Sequence, residues 1–162
     1  MKNVFNLGFI LMLSLTLMSA MCSSDDDDGT PNNNSQQIAD IEDDVQSGTW
    51  IITNFVDSGQ NETSDFNGYN FTFNTNGSLV ATNGTNTMTG TWSITDDDSS
   101  DDDGSSSSDI DFNIFFPPLS VTSDFEDLND DWDIVTATST RIELIDISGG
   151  NGDTDLLTFE KN

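Results

Sequence analysis

The stretch Gly48-Thr49-Trp50-Ile51-Ile52 decides the fold of this chain, and it recurs later in the sequence. An echo stands at Gly90-Thr91-Trp92-Ser93-Ile94, and a looser one at Asp131-Trp132-Asp133-Ile134. In each copy an Ile follows the Trp at the second position, so both side chains point to one face of a strand. The three copies therefore predict three strands of one small all-β barrel.

Outward from these copies, alternation of apolar and polar residues predicts eight strands. The clearest is Gly68–Thr75, where three aromatic residues alternate with polar ones. Asn76-Gly77 and Asn83-Gly84 predict hairpin turns, because both residue types tolerate positive φ. The predicted strands are Thr49–Asp57, Gly68–Thr75, Ser78–Thr82, Asn86–Thr95, Asp109–Phe116, Asp131–Ala137, Thr140–Ile147 and Thr154–Lys161.

These strands, joined in sequence by connections that are mostly short, predict an eight-stranded, up-and-down antiparallel barrel. A barrel of this size is filled by its own side chains or encloses one small ligand, and closure leaves no exposed strand edge. A two-sheet sandwich is the alternative architecture. In the first strand, simple alternation predicts that Trp50, Ile52, Asn54 and Val56 share one face.

A short N-terminal helix is predicted before the first strand. Ile38, Ile41 and Val45 recur at the i, i+3 and i+7 spacing that forms one apolar stripe on a helix. A further helical turn is predicted to carry Phe125 and Leu128, which are spaced i, i+3. The alternative for the N-terminal segment is that it also belongs to the linker.

Residues 1–21 have the order of a secretory signal peptide, with Lys2 near the start, an apolar segment Val4–Met18 and then small residues. The apolar segment is shorter than the roughly 20 residues of a membrane-spanning helix, although a transmembrane anchor is the alternative. Residues 22–37 have no large apolar side chain and are predicted to form a disordered, acidic tether. The β-barrel domain would then cover residues 38–162.

Cys22, the single cysteine, directly follows the predicted signal peptide in Ser19-Ala20-Met21-Cys22. This arrangement resembles the lipobox of bacterial lipoproteins, in which the cysteine becomes the lipidated first residue. The next segment, Ser23–Gly29, resembles the acidic stretch that accompanies surface export in lipoproteins of the Bacteroidota. The resemblance implies a lipoprotein anchored in the outer membrane through Cys22 and facing the cell exterior. A plain secreted protein is the alternative.

The composition is strongly acidic, with 3 Lys and Arg residues against 30 Asp and Glu residues and a formal net charge of −27. Nucleic-acid affinity comes largely from cationic side chains that displace counterions, so no nucleic-acid partner is expected. The chain has no His, the commonest general base and transition-metal ligand. A single Cys forms neither an intrachain disulfide nor a thiolate zinc site.

The loop at residues 96–108 contains only Asp, Ser and Gly and is predicted to be disordered. Its acidic triplets do not match a calcium-binding loop, because Ile110 stands where the bidentate acid belongs. No nucleophile elbow, phosphate-binding loop or metal-binding His motif is present. We therefore expect no metal site, no cofactor and no enzymatic activity.

Residues 47–161 resemble the bacterial lipocalin-like domains. The motifs that carry the resemblance are Gly48-Thr49-Trp50, Phe71-Thr72-Phe73, Asn76-Gly77 and Gly90-Thr91-Trp92. The resemblance implies that Trp50 plugs the barrel beneath Arg141, through a cation–π contact. It also implies non-enzymatic binding of a small apolar ligand.

Aromatic side chains on the predicted inner faces are the candidate ligand-binding residues, since they suit an apolar or aromatic molecule. They are Trp50, Tyr69, Phe71, Phe73, Trp92, Phe112 and Trp132. The same side chains would serve equally well to fill the core.

The alternative function is a protein-interaction module, such as an adhesin or an enzyme inhibitor. An inhibitor of a basic, lysozyme-type enzyme fits the composition, because an acidic surface attracts basic partners. The protein is expected to be a monomer.

Overall fold

A computed structural model describes residues 33–96, 110–118, 124–147 and 154–162. Within these ranges the strands form one antiparallel sheet that closes on itself. The first strand pairs both with the next barrel strand and with the last strand of the chain. The predicted eight-stranded, up-and-down barrel is therefore confirmed, and the two-sheet sandwich is wrong.

Eight strands form the barrel, and a further strand of two residues is attached to the end of the first. The strands are β1 (Trp50–Asp57), β2 (Gln60–Asn61), β3 (Asn70–Phe73), β4 (Ser78–Thr82), β5 (Thr87–Asp96), β6 (Ile110–Phe115), β7 (Asp130–Thr138), β8 (Arg141–Ile147) and β9 (Thr154–Lys161). The short strand, β2, pairs with the end of β1 through a tight turn at Ser58 and Gly59, both at positive φ. The sequence pattern predicts only a loop at this hairpin.

β1 departs from the predicted alternation at a bulge between Ile52 and Asn54. Trp50 and Ile52 are buried, but the extra residue in the bulge makes the residues after it change faces. Phe55 therefore lies in the core at 1% exposure, whereas Asn54 and Val56 are only half-buried. The prediction that these last two residues share the face of Trp50 is wrong.

One end of the barrel is closed by the helix α1 (Asn33–Gln46). The predicted stripe faces the barrel: Ile41 and Val45 are buried, and Ile38 packs against the core. The Asn34 side-chain amide donates a hydrogen bond of 2.8 Å to Asp96 at the end of β5. Because α1 begins at Asn33, residues 33–37 are helical and the prediction that they belong to the tether is wrong.

The opposite end is closed by two short 3-10 helices, Thr63–Phe66 and Asp124–Leu128. Phe66, Phe125 and Leu128 are buried, and the rings of Phe66 and Phe125 meet edge to face with centroids 5.4 Å apart. The second of these helices confirms the helical turn predicted at Phe125 and Leu128. The barrel is thus plugged at both ends by apolar side chains.

Two glycines of the repeated stretch are required for different reasons. A Cβ at Gly90 would lie 2.3 Å from the Phe115 carbonyl oxygen, so glycine permits the close approach of β5 and β6. Gly48 has a φ of +95°, which favours glycine. A Cβ there would also lie 3.0 Å from Lys161 Cε, because the lysine side chain crosses this position.

Some of the predictions fall on residues outside the described ranges. They concern the signal peptide at residues 1–21, the lipidation of Cys22, the remainder of the tether up to residue 32, and the acidic loop after Asp96. These stay predictions.

Candidate functional site

The predicted ligand-binding residues come together inside the barrel, where they form its core. Six of the seven are buried, at 6% exposure or less, and Tyr69 is half-buried beside the 3-10 helix that carries Phe125. The buried six are Trp50, Phe71, Phe73, Trp92, Phe112 and Trp132. Their clustering follows the sequence pattern, whereas a role in ligand binding stays a prediction.

Aromatic rings occupy the interior in an unbroken series of contacts. Phe73 stands at the centre, with ring centroids 5.4 Å from Trp92 and 5.5 Å from both Phe112 and Phe159. Phe159 lies 5.4 Å from Phe71, whose ring continues the series to the 3-10 helix plug. Most of these pairs adopt the edge-to-face geometry that aromatic quadrupoles favour. The space in which a lipocalin-like barrel would hold a ligand is occupied by these side chains.

The three tryptophans of the repeated stretch each fasten a strand to the element beside it. The Trp50 indole N–H donates to the Val45 carbonyl of α1 at 2.8 Å. The Trp92 indole donates to the Asn74 carbonyl at the end of β3 at 3.0 Å, and the Trp132 indole donates to Leu128 at 3.1 Å. Burial of an indole N–H is favourable only when it has such an acceptor. These hydrogen bonds explain why the three tryptophans are buried at these positions, and no ligand is needed for the explanation.

The cation over Trp50 is Lys161, and the predicted partner Arg141 lies elsewhere. Lys161 Nζ stands 5.3 Å from the Trp50 ring centroid and donates to Ser47 Oγ at 2.6 Å. Strand register explains the difference: Trp50 is paired with Lys161 at the end that α1 closes, whereas Arg141 is paired with Glu160 on the outer face. The prediction that Arg141 covers Trp50 is wrong.

The outer wall formed by β7, β8, β9 and β1 carries an unusual number of apolar side chains. Among the described residues, four large apolar side chains are exposed, and three of them lie on this wall: Val135 at 59%, Ile147 at 61% and Leu156 at 37%. We call these three side chains, together with the half-buried Val56 and Ile145, the aliphatic strip. Exposed apolar surface that is contiguous marks interaction sites more often than scattered residues do.

Strand register makes the strip continuous across the barrel. Leu156 on β9 is paired with Val56 on one side and with Ile145 on the other. Val135 stands in a bulge of β7, between the pairs made by Ile134 and Thr136, and it lines a groove of about 250 Å³ together with Leu156. Ile147 extends the strip along β8 towards the end that the 3-10 helices close.

Alternation identifies the inner face of each strand, and by itself it does not indicate the aliphatic strip. A second signal does: an apolar pair of consecutive residues stands on each of the four strands. These pairs are Phe55-Val56, Ile134-Val135, Leu144-Ile145 and Leu156-Leu157. Consecutive side chains on a strand point to opposite faces, so each pair must place one apolar side chain outside.

Charges at the edge of the strip are predominantly acidic. Arg141 forms ion pairs with Glu143, at 2.6 Å, and with Glu160. The hydrogen bond from Arg141 lowers the pKa of Glu143, and the same pairing raises the pKa of Arg141, so both partners of this pair stay charged near neutral pH. The formal charges of Arg141, Glu143 and Glu160 sum to −1, and Asp133, paired with Ile145, adds another carboxylate.

A second groove, of about 700 Å³, lies on the outer face of β5 and β6 beside the start of β7. Its lining includes the 52% exposed Phe115 and the side chains of Asn113 and Asp131. Asp130, at its edge, has a pKa raised to about 6 by partial burial, then by its side-chain hydrogen bond with Asp131. This wall has one exposed large apolar side chain, whereas the aliphatic strip has three.

Carboxylates also gather around the 3-10 helices. Partial burial, followed by the charge of Asp57, raises the pKa of both Glu62 and Asp127. Among the side chains that the structure describes, no group of carboxylate, Cys or His ligands is arranged to hold a metal ion.

The fold and its surface define a class: a small closed β-barrel with a filled interior, two plugged ends and an apolar strip on its outer wall. No model of a known protein family matches the sequence, and no curated protein matches it. The barrel is similar to the crystal structure of a DUF4847 family protein from Bacteroides vulgatus, with 17% sequence identity and a TM-score of 0.47. The similarity covers 75% of this chain and 97% of that chain. At this sequence identity and TM-score, the similarity assigns neither a family nor a function to this chain.

Across the described ranges, no helix combines the length and the apolar character needed to cross a membrane.

Proposed function

We propose that this protein is a non-enzymatic binding protein, anchored by a lipid on Cys22, whose outer wall contacts a partner protein. The observation that carries the proposal is the packing of the interior. Phe73 and Phe159 are at most 1% exposed, and their rings pack edge to face inside the barrel with centroids 5.5 Å apart. A ligand at that place would have to displace aromatic side chains, with the loss of several kcal/mol of packing energy for each ring. The packed interior therefore favours the protein-interaction alternative over a small apolar ligand.

Native mass spectrometry of the full-length chain, purified in mild detergent, tests this choice. We expect the mass of the processed, acylated polypeptide without a stoichiometric adduct. A bound apolar molecule that survives exchange of the detergent would contradict the proposal and support ligand binding inside the barrel. Tryptophan emission provides a second readout, because a molecule seated among Trp50, Trp92 and Phe73 would change it.

Anchoring is supported by the sequence Ser19-Ala20-Met21-Cys22 at the end of the predicted signal peptide. Substitution Cys22→Ala removes the acceptor for the lipid, and we expect the chain to leave the membrane fraction and to retain an unprocessed mass. Ser23→Ala, one residue later, is the matched control and should behave as the parent. Unchanged processing and membrane association of Cys22→Ala would contradict lipid anchoring.

Display on the cell exterior is supported by the acidic segment Ser23–Gly29. Protease added to intact cells should cleave the chain as completely as it does after lysis. Replacement of Asp25–Asp28 by Ser should protect it in intact cells while leaving it in the membrane fraction. Equal cleavage of both versions would contradict a role for this segment in export.

A further inference from the structure

We propose that the aliphatic strip binds a protein surface that has an apolar centre surrounded by Lys and Arg side chains. The proposal rests on the proposed function, because it assigns the place and the chemistry of the partner contact. Its strongest support is the juxtaposition of Val135, Ile147 and Leu156, all at least 37% exposed, in a chain with a net charge of −27.

One local distortion of the sheet contributes to the strip, and ordinary alternation along the strands supplies its other members. The bulge in β1 turns Val56 outward. Val135 faces outward after the core-packed Ile134, and it also stands at a bulge of β7. Bulges re-aim side chains and are over-represented beside functional sites. β8 and β9 lie between the bulged strands and supply Ile145 and Leu156 in direct register. The rigid barrel therefore presents the strip on β-strands, with no loop rearrangement needed.

The net charge of the chain indicates which kind of partner binds the aliphatic strip. A second copy of this chain would bring two bodies of net charge −27 together, and like charges at an interface cost several kcal/mol. An anionic lipid surface is disfavoured for the same reason. A cationic protein is attracted from a distance, with an association rate that falls as salt increases.

The edge of the strip indicates how a partner would be oriented. Glu143 and Glu160 already share Arg141, which leaves a net negative charge at one side of the Val135–Leu156 groove. Asp133 adds a carboxylate on β7 opposite Ile145. A partner that seats an aliphatic or aromatic side chain in the groove would place its own cations over these carboxylates, where hydrogen bonds between charged groups are strongest.

Selection from a random peptide display library tests the proposal, with short peptides as the probe in place of the partner protein. The full-length chain, purified in detergent, is the immobilised target. We expect the enriched peptides to combine Leu, Ile, Phe or Trp with Lys or Arg. Their binding should fall by about tenfold or more for Leu156→Asp and for Val135→Asp, as for residues at the centre of an interface, and it should weaken with added NaCl.

Phe115→Asp is the matched control, since Phe115 is the fourth exposed apolar side chain and lies on the other wall. Its binding should equal that of the parent. Val135→Ser is a milder second variant, and circular dichroism shows whether each variant keeps the barrel. Two results would overturn the assignment to the strip. One is that no peptide is enriched. The other is that the enriched peptides bind Leu156→Asp and Val135→Asp as well as the parent but lose binding to Phe115→Asp. That second result would leave the proposed function standing, whereas an apolar adduct in native mass spectrometry would overturn the function itself.

Discussion

Single residues of the repeated Gly-Thr-Trp stretch have clear physical roles. Trp50 and Trp92 fill the core and donate their indole protons to backbone carbonyls at 2.8 Å and 3.0 Å. The sequence pattern correctly placed both rings inside, because alternation along a strand depends only on local geometry. It could not identify their acceptors, because these hydrogen bonds depend on how α1 and β3 pack beside the two rings. It could not identify Lys161 as the cation over Trp50 either, because that contact joins the first and last strands of the chain.

Gly90→Ala is predicted to destabilise the barrel. The added methyl group would lie 2.3 Å from the Phe115 carbonyl oxygen and 2.8 Å from Phe116 Cδ1, so β6 must move away from β5. We expect a loss of about 1–3 kcal/mol in the free energy of unfolding, as in other overpacked cores, measured by urea denaturation. Thr91→Ala, at the exposed neighbouring position, should change the midpoint little. Equal midpoints for Gly90→Ala and the parent would contradict this account.

At the level of elements, the β-bulge in β1 decides which residues of that strand reach the outer wall. Every barrel strand was predicted at close to its observed position, and the predicted ranges Ser78–Thr82 and Thr154–Lys161 are those of β4 and β9 in the structure. A bulge, however, leaves the pattern of residue types unchanged while it reverses the face of every residue after it. This is why Phe55, and not Asn54 or Val56, entered the core of β1.

The plug formed by α1 is predicted to depend on Val45, which is fully buried and whose carbonyl accepts the Trp50 indole proton. Val45→Asp would place a charge at this position, and we expect a loss of about 3 kcal/mol or more. Undocking of α1 would also expose Trp50 and shift tryptophan emission to longer wavelength. Asp43→Ala, on the exposed face of the same helix, is the control. An unchanged emission maximum for Val45→Asp would show that α1 is not a plug.

For the whole molecule, the carboxyl groups determine how the free energy of unfolding depends on pH. Glu62, Asp127 and Asp130 all have raised pKa values, that of Asp130 reaching about 6 from an ordinary 3.8. Such carboxyls bind protons more tightly in the folded than in the unfolded state. The free energy of unfolding should therefore rise as the pH falls from 7 towards 5, opposite to a protein whose carboxylates are mostly paired with cations.

Asp130→Asn tests the largest of these contributions. Asn resembles the protonated carboxyl, so the variant should be more stable than the parent at pH 7, by less than about 1 kcal/mol after solvent screening. The gain should shrink as the pH falls through 6, where Asp130 itself becomes protonated beside Asp131 and Asp146. Asp43→Asn changes the net charge equally at an exposed position and is the control. A urea midpoint of the parent that is lower at pH 5 than at pH 7 would contradict the expectation.

The sequence by itself determined the closed barrel, the apolar face of α1 and the strongly acidic character. The barrel and the helix face depend on periodicity and turn residues, which are visible in short stretches of sequence, and the acidic character depends on composition alone. Only the tertiary structure decided that the interior is filled by contacting rings and that Lys161 covers Trp50. It also decided that four apolar pairs place one member each on the same outer wall. The physical reason is register: which side chains meet depends on pairing between strands such as β1 and β9, and on bulges that local pattern does not reveal.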